Sequence, residues 1–468
     1  MVSTMPDLIV VGAGAAGLSA ATKVARSGFS VQIIEARNRI GGRMFTLRDP
    51  VWQVPIELGA EFIHGLPSEI CRPLQRQRSD IAEVVGESWC STKGRLSRCD
   101  FSSSVKSILE KMNCRGNDES FLSFLDRRYP NSTASKKQEA RRRALAYVTG
   151  FDAADPARVG VHWLVRSMRA EKQIDGDRAF RSKNGYDDLL DIFRQELIES
   201  KARVQTETVV ESIAWSRGRA VVTAQQASKS LQLVAKRVLV TLPLGVLQAS
   251  SRETGLVRFM PSLPRKKLEA LKILQMGKAI RVTLRFRNRF WETMCPDQKN
   301  NKTLSHMNYL FTQDDWFPTW WTRMPDKLPI LTGWAPARSA ERLSGKSQPF
   351  VVRQALRSLA SALKTKPSRL ESLLDDTYFH DWQNDPFSRG AYSYGAVGSD
   401  GAQRALGTSL ENTLFFAGEA TDTTGHNGTV HGAIASGHRA ALQILRGRSG
   451  RSTTDCGRLA EPNHETFA

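Results

Sequence analysis

A glycine-rich turn near the start of the sequence constrains the fold more than any other feature. It reads Gly-Ala-Gly-Ala-Ala-Gly and stands between Asp7–Val11, an apolar run that predicts a strand, and Ala15–Ser27, which predicts a helix. A strand, three spaced glycines and a helix form the fingerprint of a dinucleotide-binding unit. Gly12 permits the tight turn, Gly14 lets backbone approach a pyrophosphate, and Gly17 lets the helix pack on the strand. The sequence therefore predicts a dinucleotide site here.

The acidic residue of the same fingerprint is Glu35. It ends a second predicted strand that begins at Ser30, about 20 residues beyond the turn, as the fingerprint requires. A carboxylate at this place accepts hydrogen bonds from ribose hydroxyls and repels a 2′-phosphate. Ala15 and Ala16 offer the first free N–H groups of the helix to the phosphates, and we place Ala36 in the same site. The fingerprint alone does not separate FAD from NAD.

Strands and helices alternate along the rest of the chain. Further strands are predicted over Arg203–Val210, Ala220–Ala224, Arg237–Thr241, Ala279–Phe286 and Leu414–Ala417, and helices over Tyr186–Ser200 and Gly428–Arg446. The run Ala279–Phe286 alternates in polarity, which is typical of a half-buried strand. This alternation of elements predicts an α/β fold. Residues 86–180 are more helical and polar, which indicates an inserted domain.

The charge of the chain raises the question of an anionic partner. Lys and Arg number 67 against 47 Asp and Glu, a formal net charge of +20. Such an excess attracts nucleic acid, but the basic residues are scattered and accompany no nucleic-acid motif. We therefore expect no specific nucleic-acid partner. With 40% apolar residues and no window of about 18 apolar residues, we expect a soluble protein without a membrane segment.

The six cysteines form no Cys-x-x-Cys pair. The apolar run Leu8–Ala21 lacks the basic flank of a signal peptide and is interrupted by glycines. We therefore expect a cytoplasmic location, reduced thiols, and neither a disulfide framework nor a metal site.

Four segments indicate which dinucleotide is bound. In Glu35–Arg43, Gly42 allows close backbone approach, and Arg37 and Arg43 can make bidentate contacts to ribose and phosphate. The other three are Ile56–Gly65, Trp382–Tyr394, and Leu414–Thr421 with its continuation Gly428–Ala433. In this order and spacing the four segments resemble the flavin-containing amine oxidase family. Ile56–Gly65 is most similar to polyamine oxidases and flavin-dependent histone demethylases.

The resemblance implies FAD as the cofactor and a Rossmann-like, discontinuous FAD-binding domain beside an α+β substrate-binding domain. The FAD-binding domain would comprise residues 1–85, 181–262 and 386–446, and the substrate-binding domain residues 86–180 and 263–385. Residues 447–468, rich in Arg, Ser, Gly and Thr, predict a disordered tail. By the same resemblance, the cofactor site would also include Gly59, Ala60, Glu61, Phe62, Val209, Gly418, Glu419, Thr429 and Val430. Glu419 would bind the ribityl chain, and the helix from Thr429 would direct its positive end at the flavin.

The activity that the resemblance implies is amine oxidation, with a hydride passing from the amine α-carbon to flavin N5, hydrolysis of the imine, and O2 converted to H2O2. His64 is the candidate for contact with the substrate amine, because histidine exchanges a proton near neutral pH. Glu61 could anchor a second, remote cationic group of the substrate. Tyr392 matches one wall of the family's aromatic cage at the flavin face.

The sequence departs from the family at three candidate positions. Arg281 stands where many members have a lysine near flavin N5, and arginine cannot act as a base. Lys278 lies an odd number of residues away, so strand alternation turns it to the other face. Thr429 stands where many members have the second aromatic wall, which favours a wider site. Ala391 stands where animal monoamine oxidases attach the flavin through cysteine, so we expect noncovalent FAD.

Two kinds of alternative stay open at this point. One is a related flavoprotein, such as an L-amino acid oxidase or a desaturase. The other is a flavin-binding protein without turnover, or a partner-binding module such as a chromatin factor. The amine and the oligomeric state are also left open.

Overall fold

The structure is a computed structural model that describes residues 5–92, 95–130, 135–250, 253–296 and 302–447. The predicted tail, apart from Gly447, lies outside the described residues. The strands are β1 Leu8–Val11, β2 Val31–Ile34, β3 Thr46–Arg48, β4 Pro55–Glu57, β5 Ile63–His64, β6 Ile81–Glu83, β7 Glu87–Thr92, β8 Arg95–Arg98, β9 Ala179–Ser182, β10 Arg203–Gln205, β11 Thr208–Ser216, β12 Arg219–Gln226, β13 Lys229–Ala235, β14 Arg237–Val240, β15 Arg258–Met260, β16 Leu274–Met276, β17 Ala279–Phe286, β18 Met307–Phe311, β19 Thr319–Thr322, β20 Ile330–Pro336, β21 Leu374–Phe379, β22 Ser393–Gly395 and β23 Leu414–Phe416.

The helices are α1 Ala15–Arg26, α2 Ser68–Arg76, α3 Phe101–Leu109, α4 Phe121–Arg128, α5 Ser135–Gly150, α6 Val161–Lys172, α7 Asp187–Ser200, α8 Leu244–Leu247, α9 Arg265–Ile273, α10 Ala337–Leu343, α11 Gln348–Leu363, α12 Pro367–Leu373, α13 Ala402–Gly407 and α14 Val430–Arg446. Short 3₁₀ helices span Phe290–Thr293 and Glu419–Thr421.

A five-stranded parallel sheet carries the glycine turn. Its order is β10-β2-β1-β14-β23, and every neighbouring pair is parallel. All four residues of β1 are buried, as expected for a parallel strand covered on both faces. Helices α1, α7 and α14 pack their apolar sides with this sheet in one core. The predicted α/β fold is confirmed.

A second, seven-stranded sheet has the order β21-β17-β20-β19-β18-β7-β8. It is antiparallel except between β18 and β7. Its core contains the fully buried rings of Trp89, Trp291, Trp320 and Phe317, and the apolar side of α11 packs in the same cluster. The boundaries of the two predicted domains stay predictions.

Two predicted strands differ from the structure. The run Arg203–Val210 is two strands rather than one, because the chain turns at Glu207, where φ is +51°, and β11 pairs with β12 in another sheet. The prediction of a half-buried Ala279–Phe286 is wrong, since all eight residues are buried. Strands β20 and β21 flank β17, and its polar residues meet buried partners instead of water. Arg285, for example, pairs with Asp49.

The expectation of six reduced thiols is wrong for one pair. Cys90 in β7 and Cys99, which follows β8, form a disulfide with a Cα–Cα distance of 5.7 Å. The two strands are antiparallel neighbours, so the hairpin brings the cysteines together. A spacing of nine residues reveals nothing of this unless the hairpin register is known. Across the described residues, no helix has the length and apolar character needed to cross a bilayer.

Candidate active site

The glycine turn is built as its spacing predicts. Gly12 has φ +104°, and a Cβ on Gly17 would lie 2.0 Å from the Gly12 carbonyl oxygen. Gly14 is the N-cap of α1 and makes no side-chain cap hydrogen bond. A Cβ on Gly14 would meet no protein atom within 4 Å, so protein packing does not require a glycine there. The open space in front of this helix end would admit a pyrophosphate, and Ala15 and Ala16 begin the helix beside it. The turn thus fits a dinucleotide.

Glu35 lies directly after β2, at the carboxyl edge of the parallel sheet. Its carboxylate accepts hydrogen bonds from the backbone N–H of Ala13 at 2.8 Å and of Arg37 at 2.9 Å. The backbone N–H of Thr208 donates to the Glu35 carbonyl, which brings Val209 and the start of β11 close to Ala36. The carboxylate is therefore fixed beside the glycine turn, where a ribose would pass.

A second contact joins the two ends of the sequence. Arg43 donates to Glu419 at 3.0 Å and to the Ala391 carbonyl at 2.6 Å. Glu419 also accepts from the Ser393 hydroxyl at 2.5 Å and from the Gly428 N–H at 3.0 Å. Gly418 and Gly42, with φ +132° and +60°, turn the backbone beside these side chains. The residues predicted for the ribityl end of FAD thus form one hydrogen-bonded group.

Arg37 is held by a different carboxylate. The two hydrogen bonds of its guanidinium group, both at 2.8 Å, go to the two oxygens of Asp385. Burial by itself would raise the pKa of Asp385. The hydrogen bond from His380 and the charge of Arg37 outweigh burial and lower the pKa to about 2. Asp385 was missed from the sequence because it lies 348 residues from Arg37.

The helix expected to face the flavin begins where it was predicted. Thr429 is the N-cap of α14: its hydroxyl accepts from the Gly432 N–H at 3.0 Å and donates to the His426 carbonyl at 2.7 Å. Val430 is the first helical residue. Thr429 is therefore occupied as a helix cap, which a tyrosine could not provide.

Glu61 lies in a buried cluster of arginines. It accepts from Arg181 at 2.8 Å and from Trp321 Nε1 at 3.1 Å, and it pairs with Arg281, which also donates to the Gly59 carbonyl. Burial by itself would raise the pKa of Glu61. The charges of Arg181, Arg281 and Arg323 outweigh burial and lower the pKa to about 2. The idea that Glu61 anchors a substrate cation is disfavoured, because its two oxygens already bind guanidinium groups.

Lys278 and Arg281 point to opposite sides of β17, as the alternation of side chains along a strand predicts. Lys278 lies just before the strand and forms an exposed pair with Glu341 at 2.9 Å, so it faces away from Arg281 as predicted.

The ring of Phe62 lies 4.5 Å from the Arg181 guanidinium, while Ala60 donates its N–H to the Arg43 carbonyl. The segment Gly59–Phe62 thus connects the arginine cluster to the Arg43 group.

Tyr392 and His64 are brought together through Phe151. The Tyr392 hydroxyl donates to the Phe151 carbonyl at 2.7 Å, and the rings of His64 and Phe151 lie 5.1 Å apart edge to face. Burial lowers the pKa of His64 from 6.5 to about 4 and raises that of Tyr392. The expectation that His64 exchanges protons near neutral pH is therefore not supported, since it is neutral there.

Sequence reasoning missed Arg181, Arg323, Trp321 and Phe151. One signal could have found Arg181: it lies in a short strand, and arginine is rarely buried unless it is paired. Trp321 and Arg323 carry no such local signal, because their relation to Glu61 depends on the pairing of distant strands. The cofactor and substrate roles of all these residues stay proposals.

Comparison with known proteins agrees with this geometry. A family model described as flavin containing amine oxidoreductase matches residues 15–445. The chain is 27% identical to Lysine-specific histone demethylase 1 homolog 3 of Arabidopsis thaliana, over 94% of this chain and 30% of that protein. It is 26% identical to Polyamine oxidase 5 of Oryza sativa subsp. japonica, over 94% and 88%. The chain spans 30% and 59% of the first two demethylase homologues.

Solved structures share the fold. Putrescine oxidase bound to putrescine superposes with a TM-score of 0.75 at 19% identity, over 94% of this chain and 99% of that chain. Cyclohexylamine oxidase from Brevibacterium oxydans IH-35A gives 0.74 at 19% identity, over 95% and 100%. The predicted α/β fold is thereby supported over 94% of the chain. Because the family model covers most of the sequence, the chain belongs to the flavin-containing amine oxidoreductases.

Proposed function

We propose that this chain is an FAD-dependent amine oxidase acting on primary or secondary amines, with polyamines included. The observation that carries the proposal is the group formed by Arg43, Glu419 and Ala391, which joins residues 376 positions apart. This group supports a flavin site beside Tyr392, which follows Ala391 in the chain. A dinucleotide bound by Glu35 at one end and by Glu419 at the other would extend from the parallel sheet to the ring of Tyr392.

FAD, when bound, supplies the hydride acceptor for the amine α-carbon and returns the electrons to O2 as H2O2. The chain's own residues would hold it: the turn from Gly12 to Gly17 at the pyrophosphate, Glu35 at the ribose, and Glu419 at the ribityl chain. The positive end of α14 stabilises negative charge near its first residue, Val430.

The residues around the substrate would orient the amine and keep its nitrogen neutral. His64, Phe151 and Tyr392 form an environment of aromatic rings, and burial in such surroundings disfavours an ammonium ion. A neutral amine keeps the lone pair that drives hydride loss from its α-carbon. His64 is neutral and can accept a hydrogen bond from the amine through a ring nitrogen.

One observation favours a second candidate, an L-amino acid oxidase. Three buried guanidinium groups, those of Arg181, Arg281 and Arg323, act on the buried carboxylate of Glu61, and Arg323 also pairs with the exposed Asp326 at 3.6 Å. The Nε atoms of Arg281 and Arg323 are buried without a hydrogen-bond partner. Such an excess of positive charge suits a substrate carboxylate.

Anaerobic reduction of the bound flavin separates these candidates. The purified holoprotein would be mixed with spermine, spermidine, aromatic amines and L-amino acids, and bleaching of the flavin band would be recorded. We expect amines to bleach the flavin, and air to restore the band with one H2O2 per turnover. Bleaching by amino acids alone would favour the second candidate. No bleaching by any of these compounds would refute both.

A further inference from the structure

The helical cover of the seven-stranded sheet contains a stretch with positive but no negative side chains. Residues 343–370, which include α11 and the start of α12, have no aspartate or glutamate, and the next acidic residue is Glu371. The whole chain has 47 acidic residues among 468, so an acid-free run of this length stands out. All the cationic residues of the run are exposed, namely Lys346, Arg353, Arg357, Lys364, Lys366 and Arg369.

Helical periodicity places several of these cations on one face of α11. Arg353, Arg357, Ser361 and Lys364 are separated by four, four and three residues, which is the spacing of neighbours on one helix face. All four are exposed, while the opposite side of α11 is packed in the core of the seven-stranded sheet. At about 1.5 Å per residue, the row is about 16 Å long.

The row continues at the junction of α11 and α12. Lys364 is the C-cap of α11 and has φ +52°, and α12 begins three residues later. A shallow, open depression at this junction is lined by cationic and hydroxyl side chains together, those of Lys364, Thr365, Lys366, Ser368, Arg369 and Ser372. The surface formed by Arg353, Arg357, Lys364, Lys366 and Arg369 is called the basic ridge below.

The cations of the basic ridge lack the acidic neighbours that exposed cations have on other helices. On α5, α7 and α9, Arg142, Arg194 and Arg265 pair with carboxylates three or four residues away. No member of the basic ridge forms an ion pair with another of the residues that the structure describes. Its positive charge is therefore available to a partner.

The basic ridge lies on the far side of the seven-stranded sheet from the candidate active site. In β17, Ile280 and Val282 point into the core that α11 covers. Arg281 points the other way and donates to Glu61 and to the Gly59 carbonyl. A partner on the basic ridge would therefore leave the candidate amine site open.

We propose that the basic ridge binds the phosphodiester backbone of nucleic acid without reading its sequence. Duplex DNA carries one negative charge per about 1.7 Å of its axis, so a row of about 16 Å meets several phosphates at once. Arginine, lysine, serine and threonine side chains are the groups that contact phosphate in protein–DNA interfaces. A lipid surface fits less well, because interfacial helices insert apolar side chains and no large apolar side chain of residues 343–373 is exposed.

The test measures the affinity of the holoprotein for a labelled DNA duplex of mixed sequence by fluorescence anisotropy, at several NaCl concentrations. The ridge variant is Arg357→Gln with Lys364→Gln. The matched control is Arg219→Gln with Lys229→Gln, which removes the same charge from exposed positions in β12 and β13. Each phosphate contact contributes about 0.9 to the slope of log affinity against log salt concentration. We therefore expect the ridge variant to lower that slope by about 2 and the affinity at about 0.1 M NaCl roughly 50-fold.

The control should bind like wild type, and a duplex of different sequence should lose affinity by the same factor in the ridge variant. Equal losses in the ridge variant and the control would overturn the inference, because the net charge of the whole chain would then hold the DNA. A wild-type slope shallower than about −2 would also overturn it, since too few phosphates would be contacted, and this result needs no variant. Binding to phosphatidylserine vesicles but not to the duplex would assign the surface to lipid instead.

Two further readouts separate this inference from the proposed function. Flavin content and the urea midpoint should be the same in wild type and in both variants, because the substituted side chains are exposed. Anaerobic flavin reduction by amine should be unchanged when the duplex is added, since the basic ridge and Arg281 lie on opposite faces of the sheet. Inhibition of reduction by the duplex would place DNA at the amine site and overturn the inference. If no amine reduces the flavin, the proposed function fails while the anisotropy result stands.

Discussion

Replacing Glu61 with glutamine would show whether the buried arginine cluster holds the three-stranded sheet β5-β9-β6 against the seven-stranded sheet. Glu61 lies just before β5, Arg181 is in β9, Arg281 in β17, and Trp321 in β19. The side chains of Glu61, Arg181 and Arg281 are 4%, 6% and 5% exposed. Glutamine keeps the size and an acceptor oxygen, but it removes the charge that the two guanidinium groups share.

The structure sets the expected magnitude. The pKa of Glu61 falls from 4.5 to about 2, and at 1.36 kcal/mol per pKa unit this corresponds to about 3 kcal/mol of stabilisation by the ionised carboxylate. Breaking a buried ion pair by removing one partner costs about 3–5 kcal/mol. We therefore expect Glu61→Gln to lower the free energy of unfolding by about 3 kcal/mol at pH 7. Because the folded pKa of Glu61 is depressed, its contribution is complete above pH 4.5 and is lost as the pH falls toward 2.

Urea unfolding of the holoprotein, followed by tryptophan fluorescence, measures this loss. The matched control is Glu83→Gln, which removes the partner of Arg178 from an exposed pair at 2.6 Å. Exposed ion pairs contribute little to the free energy of unfolding, so the control should unfold at the wild-type urea midpoint. If Glu61→Gln also unfolds at that midpoint, the reasoning about the cluster is refuted.

Three further predictions concern the cofactor and the chemistry. Arg281→Lys should change the rate constant of flavin reoxidation by O2 about tenfold, because an ammonium reaches and donates differently from a guanidinium; unchanged stopped-flow kinetics would contradict this. Acid precipitation should release all FAD into the supernatant, since Ala391 offers no sulfur for attachment; flavin retained in the pellet would count against noncovalent binding. His64→Asn should keep the pH midpoints of kcat/KM between pH 6 and 9, because a histidine whose pKa is about 4 is neutral throughout that range. Loss of a limb of the pH profile there would show that His64 titrates near neutrality.

The nucleotide end of the molecule could be predicted because its physics is local. Gly12, Gly17 and Glu35 lie within one strand–helix–strand unit, so spacing alone reports the turn, the close packing and the carboxylate at the strand end. The parallel sheet followed from the same unit and from the apolar runs of its other strands.

The substrate end could not be predicted in the same way. The partners of Glu61 lie 120 and 220 residues away, and no spacing rule connects them. The polarity of β17 predicted a half-buried strand because a buried arginine with a distant carboxylate has the same pattern as an exposed one. The disulfide at Cys90 was missed for a related reason, since it depends on the register of a hairpin.

Arginine at position 281 explains why Glu61 is a poor candidate for binding a substrate cation. A lysine at this place could lose its proton on burial, but the guanidinium group stays charged, so Arg281 requires a fixed carboxylate beside it. Glu61 supplies that carboxylate, and its negative charge is balanced by the surrounding arginines. Arg281→Lys alone would therefore not release Glu61, because Arg181 and Trp321 would still donate to its two oxygens at 2.8 and 3.1 Å.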